Sequence, residues 1–172
     1  MTDPLAPYIR DVPDFPKPGI LFRDITPLLA SPEATSEAVR RMADPFRTAG
    51  ITKVAAAEAR GFLFGVSIAL ELGAGFIPVR KPGKLPYETR EVSYDLEYGS
   101  DTLQIHADAI APSDTVLLVD DLLATGGTME ACLRMVRDAG ATVAGCSFLI
   151  ELTELPGRSR LGEAPVATVL SY

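Results

Sequence analysis

The chemistry most plainly written in the chain lies between residues 116 and 128. The run is Val116-Leu117-Leu118-Val119-Asp120-Asp121-Leu122-Leu123-Ala124-Thr125-Gly126-Gly127-Thr128. An apolar stretch ends in two carboxylates, and a small, hydroxylated, glycine-rich turn then opens a helix. Glycines at 126 and 127 let backbone approach an anion closely and accept positive φ. Thr125 and Thr128 add hydroxyl donors, and the free N–H groups and dipole of a helix start favour a phosphate. Two acids beside a phosphate would repel it. They make sense if they accept hydrogen bonds from ribose hydroxyls, or if they help hold a magnesium-bound ligand. No GxxxxGK[ST] pattern occurs, so this is not a Walker loop.

Four other segments stand out. In Ala57-Glu58-Ala59-Arg60-Gly61-Phe62-Leu63-Phe64-Gly65 one arginine sits at a strand-to-helix turn, where its planar donor set suits a pyrophosphate. A surface ion pair with Glu58 is the alternative. Arg80, Lys81 and Lys84 surround a Pro-Gly turn and form a local anion site in a chain of negative net charge. In Tyr94-Asp95-Leu96-Glu97-Tyr98-Gly99 the glutamate is either a hairpin carboxyl exposed to water or, under a closed flap, one whose pKa desolvation would raise so that it holds a proton. Phe15 to Pro27, which includes Leu21 and Arg23, reads by itself as a proline-rich surface arm.

These groups need a frame. Residues 1–30 carry six prolines spaced from Pro4 to Pro27 and predict an irregular arm. Ser31 caps a helix with Pro32 in its first turn and Val39, Met42 and Phe46 on one face; Gly50 stops it, with Pro45 a kink. Strands are predicted over 51–57, 76–79, 115–119 and 142–150, with helices over 62–72 and 127–139 closed by Gly73 and Gly140. Residues 80–99 predict a long mobile loop leading into a hairpin with 102–106, and 166–170 an edge strand. Alternating strands and helices predict one α/β domain over 1–172, a doubly wound, mainly parallel sheet flanked by helices. Ligands bind such sheets at the carboxyl ends of the strands, where the chemistry-bearing turns fall.

Composition narrows the partners. At 172 residues, 47% hydrophobic and 23% charged, the chain is globular, and its formal charge of −7 disfavours a duplex-binding surface. No apolar run is long enough to cross a bilayer, and the first residues show no secretory pattern. A cytoplasmic location follows as an expectation. Cys132 and Cys146 fit neither a redox nor a zinc motif and are expected to be buried thiols. His106, the only histidine, leaves no basis for a serine-type triad or a multi-histidine metal site, and is expected to be an ordinary strand residue.

The 116–128 run resembles the signature of type I phosphoribosyltransferases, and the other segments resemble the adenine phosphoribosyltransferases from about Pro13 to Ile150, with Glu151-Leu152-Thr153 and Gly157-Arg158 extending the match. Three alanines at 55–57 stand where relatives often carry a glycine. The resemblance implies that Ala124, Thr125, Gly126, Gly127 and Thr128 hold the 5′-phosphate of phosphoribosyl pyrophosphate, and that Asp120 and Asp121 meet its ribose. It implies that a hood over 1–30 covers adenine, with Leu21 and Arg23 touching the base partly through backbone. Arg60, Arg80, Lys81 and Lys84 would take pyrophosphate, the last three partly across a homodimer interface. Glu97 would be the catalytic residue, handling a proton on the purine, with Tyr98 shielding the new bond and the 80–106 loop closing over it. Magnesium would ride mainly on the substrate. AMP and pyrophosphate would be the products. Transferases for hypoxanthine, guanine, xanthine or a pyrimidine would keep 116–128 but lack the hood and the 96–99 pattern. A ligand-sensing transcriptional regulator would need a DNA-binding module that residues 1–30 are too short and proline-rich to form.

Overall fold

The computed structural model describes residues 3–95 and 100–172, with the side chain of Asp95 left aside. In chain order it contains β1 (Arg10–Pro13), β2 (Leu21–Asp24), α1 (Thr26–Leu29), α2 (Pro32–Ala43), β3 (Lys53–Ala57), α3 (Gly61–Leu72), β4 (Gly75–Val79), β5 (Thr89–Asp95), β6 (Ser100–His106), β7 (Thr115–Leu123), α4 (Gly127–Asp138), β8 (Thr142–Glu151), α5 (Gly157–Arg160) and β9 (Val166–Ser171). Five strands form a wholly parallel sheet in the order β4-β3-β7-β8-β9. Helices α2 and α3 cover one face and α4 the other, so two apolar cores sandwich the sheet. β7 feeds both cores by alternation: Val116 and Leu118 point to one, Leu117 and Val119 to the other.

Local chemistry sets the ends of the elements. The Ser31 hydroxyl accepts from the Ala34 N–H at 3.2 Å with Pro32 in the first turn, and Gly73 ends α3 in the left-handed region at φ 65°. α2 stops at Ala43, earlier than the sequence predicts. Pro45 cannot continue the hydrogen-bond ladder, and a 3-10 turn over Asp44–Phe46 replaces the last turns, yet Val39, Met42 and Phe46 are all buried as expected. Cys132 and Cys146 are free and buried, and burial pushes both thiols up, Cys146 to about 12. His106 closes β6 and packs edge-on against Tyr87.

Three predicted boundaries need correction. The N-terminal arm is not wholly irregular, because β1 and β2 pair antiparallel from Arg10↔Asp24 to Pro13↔Leu21. The hairpin expected with 102–106 is present, but its first strand begins at Thr89, inside the stretch read as loop, and pairs with β6 from Thr89↔His106 to Asp95↔Ser100. β7 does not stop at Val119 but runs to Leu123, because β8 stays in register with it as far as Glu151.

β3 follows β7 only to the Ala56↔Val119 pair. From Asp120 onward one side of β7 is therefore uncovered. The chain leaves β3 toward β4 on one side and returns to β7 on the other, so this gap is the topological switch point of the sheet, where open α/β folds take their ligands.

Candidate active site

The gap holds two adjoining recesses. One of about 260 Å³ is lined by Glu58, Ala59, Arg60, Asp120, Asp121, Leu122 and Thr128. The other, about 100 Å³, runs along residues 122–129 with Asp120 and Phe148. They share Asp120, Leu122 and Thr128. The turn after β3, the two acids of β7 and the glycine turn before α4 thus converge on one cleft, from segments about sixty residues apart in sequence.

The turn after β7 is shaped by its glycines. Gly126 caps α4 at φ 83°, where a side chain would be strained, and Gly127 begins the helix with its N–H end toward the smaller recess. The first N–H groups of a helix have no partner within it, and together with the positive end of the helix dipole they favour an anion of phosphate size at this point. The Thr128 hydroxyl lies 3.3 Å from the Tyr94 hydroxyl. Tyr94 in turn reaches Asp101 at 3.4 Å, and Asp101 pairs with Lys81 at 3.0 Å. Through Tyr94 the β5–β6 hairpin rests against the glycine turn.

The acids are not equivalent. Asp121 is 6% exposed and accepts from Nε of Arg60, whose own side chain is 48% exposed. Arg60 does not pair with Glu58, the surface partner considered from sequence. It spends one nitrogen on Asp121 and keeps the rest of its planar donor set at the rim of the larger recess. Removal from water, followed by repulsion from Asp121, pushes the Asp120 carboxyl well above the usual range. Glu58 instead accepts from the Lys81 N–H at 2.8 Å and from Arg80 Nε at 3.3 Å, which ties the 80–88 loop to the turn after β3.

The hood approaches the same cleft from outside. The Arg60 guanidinium stands 5.5 Å from the centre of the Phe22 ring, which Phe15 meets edge-on at 5.1 Å. Phe15, Ile20 and Leu21 are exposed, so the hood carries an apolar surface around Phe22. The Arg23 side chain is committed to Asp11 and to the Tyr172 ring, 4.0 Å away, which leaves its backbone as what it offers a ligand.

Of the residues singled out from sequence, Arg60, Asp120, Asp121 and Ala124–Thr128 share the cleft, and Arg80 and Lys81 are tied to its rim. Lys84 is exposed on the loop beyond, where its carbonyl accepts from Arg80 at 3.3 Å. Glu97 and Tyr98 lie outside the described residues. Sequence reasoning missed Phe22 and Tyr94 as aromatics that touch site residues, Phe22 against Arg60 and Tyr94 against Thr128. Tyr94 shares the β5 face of buried Val92, a period-2 signal that pointed inward, while Phe22 sat inside the hood segment without a role.

Comparison with known proteins bears on this geometry. A family model described as the phosphoribosyl transferase domain matches residues 26–162. The adenine phosphoribosyltransferase of Rhodopirellula baltica is 60% identical over 168 residues, covering 98% of this chain and 82% of that protein. The chain belongs to the adenine phosphoribosyltransferase family. Among solved members of the family, the Rhodothermus marinus enzyme superposes with a TM-score of 0.93 at 56% identity, covering 98% of this chain and 96% of that one. The Saccharomyces cerevisiae enzyme, complexed with an imino-altritol bisphosphate and adenine, superposes at 0.91 with 40% identity, covering 96% of each chain. The family's α/β architecture is thus the one this sequence adopts, with the cleft at its switch point.

Proposed function

We propose that the protein transfers the 5-phosphoribosyl group of phosphoribosyl pyrophosphate to adenine, releasing AMP and pyrophosphate. The observation that carries this reading is the single cleft in which a glycine turn at a helix start, two strand-end acids and an arginine with spare donors meet beneath an apolar hood. Relatives named for adenine, including the yeast enzyme with adenine bound, support the choice of base.

In this reading Ala124–Thr128 receive the 5′-phosphate on backbone N–H groups and the Thr125 and Thr128 hydroxyls. Asp120 and Asp121 hydrogen-bond the ribose hydroxyls, and the Asp121 carboxylate steadies the positive charge that develops on the sugar as the bond to pyrophosphate breaks. Arg60 faces the departing pyrophosphate, and Arg80, Lys81 and Lys84 add cations on that side. Leu21 and the Arg23 backbone, with Phe22 beside them, cover the purine. Glu97 handles the purine proton, and Tyr98 excludes water from the forming bond. No covalent nucleophile is needed; alignment and fixed charge supply the acceleration.

Magnesium fits the donor set as a passenger of the substrate rather than as a resident of the protein. Among the described residues no three His, Cys, Asp or Glu side chains cluster to hold it, and Asp121 is already committed to Arg60. When bound, magnesium neutralises charge on the leaving group. The same reading makes the protein a cytoplasmic homodimer. The dimer is supported by Leu63, Val66 and Leu70, 48%, 44% and 78% exposed, which form one apolar stripe along α3 that a second copy would cover.

The test is a panel of adenine, hypoxanthine, guanine, xanthine and uracil with phosphoribosyl pyrophosphate and magnesium, following pyrophosphate release. Release with adenine at least about a hundredfold above the other bases is expected, a margin that a site hydrogen-bonded to one base edge can supply. Equal release with hypoxanthine or guanine would overturn the choice of adenine.

A further inference from the structure

The glycine turn is held from behind by α5, a segment to which neither its sequence nor the cleft assigns a role. Gly157, the first residue of α5, lies main chain against main chain with the turn. A methyl placed on Gly157 would sit 2.2 Å from the Ala124 carbonyl oxygen and 2.9 Å from Cδ1 of Leu123. A methyl on Gly126 would sit 2.6 Å from the Gly157 carbonyl oxygen. The two glycines therefore permit a backbone approach that no side chain on either partner would allow.

α5 is itself anchored on both flanks of the turn. Arg158 grips the buried Glu151 through Nε at 2.8 Å and Nη2 at 2.6 Å, and its Nη1 donates to the Val166 carbonyl at 3.3 Å. Glu151 ends β8 in register with Leu123, the last residue of β7 before the turn. On the other flank Arg160 lies 3.9 Å from Glu130 in the first turn of α4. A short helix pinned to β8, the strand that pairs with the end of β7, and to the first turn of α4, and touching the turn by bare backbone, fixes the path of residues 124–126.

We infer that α5 is a brace setting the shape of the phosphate turn, with Gly157 as a positioning residue and the Glu151–Arg158 pair as its anchor. The inference rests on the reading of that turn as the 5′-phosphate site. Because the brace acts on one end of one substrate, its loss should raise KM for phosphoribosyl pyrophosphate and leave KM for adenine alone.

The experiment compares wild type with Gly157→Ala, Arg158→Met, Arg158→Lys and Val39→Ala, the last a buried α2 position remote from the turn that serves as a control for general destabilisation. Ribose 5-phosphate binding is measured by calorimetry beside steady-state kinetics. Gly157→Ala and Arg158→Met are expected to raise KM for phosphoribosyl pyrophosphate, and Kd for ribose 5-phosphate, by about tenfold or more, the scale of a misplaced positioning contact. KM for adenine should stay within about twofold, and Arg158→Lys should recover part of the loss because it keeps the charge but not the two-pronged grip. Should Gly157→Ala fail to fold, the Arg158 pair alone decides. Unchanged sugar-phosphate affinity in Arg158→Met, or a rise in both KM values matched by Val39→Ala, would overturn the brace. Absence of ribose 5-phosphate binding in wild type would instead overturn the phosphate site itself.

Discussion

Arg60 and Asp121 form the central pair of the cleft, and their geometry sets different expectations for the two acids. Asp121 holds Arg60 in place, so Asp121→Asn is predicted to weaken phosphoribosyl pyrophosphate binding by about tenfold through loss of a charge-assisted bond. Unchanged affinity in calorimetry would remove Asp121 from sugar binding. Asp120 has a folded pKa raised by desolvation and by Asp121. A carboxyl of this kind binds a proton more readily folded than unfolded, so its ionisation destabilises the fold as pH rises through and above the ordinary carboxylate range. Asp120→Asn should therefore raise Tm at pH 7, by roughly 2–4 °C for each kcal/mol of repulsion relieved, while weakening substrate binding. A lower Tm would contradict that electrostatic picture. For Glu97, replacement by Gln is predicted to cut kcat by about a hundredfold or more with little change in sugar-phosphate affinity, the mark of a proton-handling group. Wild-type turnover would exclude it from the chemistry. The residue types were legible from sequence, but their partners were not. Arg60 read as a pyrophosphate-facing arginine with Glu58 as the alternative partner, and the carboxylate it meets is neither: strand pairing brings Asp121 across to it from 61 residues away. Gly126 read as a ligand-facing glycine, and its positive φ agrees, yet the space where its Cβ would go is filled by Gly157.

Elements were predicted well where hydrophobic period and caps coincide, as in α3 between Arg60 and Gly73 and α4 before Gly140. They were misjudged where pairing rather than period decides. The acids of β7 looked like a strand end, since charge usually marks one, but β8 continues alongside to Glu151 and keeps the strand extended. The hood looked irregular because prolines dominate it; Pro13 nevertheless pairs with Leu21 at the end of a two-stranded ribbon, a position where its missing N–H is tolerated. At the end of β8, Arg158 holds the Glu151 carboxyl below its ordinary range. The stability this pair contributes is present above the unfolded glutamate pKa and is lost as pH falls through the depressed folded value. Wild type is predicted to lose Tm more steeply than Glu151→Gln as pH is lowered from about 5 toward 3, measured by thermal melts across that range. Parallel slopes would show that the pair does not stabilise the fold.

For the whole molecule, the wound sheet with its switch point between β3 and β7 follows from strand and helix alternation, and the cleft follows from the sheet. What alternation cannot indicate is how the outer face of α3 is used. Leu63, Val66 and Leu70 lie in a helix the sequence predicts without assigning its faces, and the structure leaves them exposed while Phe64 and Ile68 are fully buried. Replacing Leu70, the most exposed of them, by Asp is predicted to shift the protein from dimer to monomer in sedimentation velocity, since a buried charge there would be unpaired. A monomeric wild type would contradict the stripe as a self-association face.

The central claim is that the turn after β7 grips the terminal phosphate of the sugar. A crystal structure of the protein with AMP tests it most directly. The phosphate should accept hydrogen bonds from backbone N–H groups within Ala124–Thr128, with the ribose over Asp120 and Asp121 and the base against Phe22. A nucleotide bound elsewhere, with that turn vacant, would contradict the account.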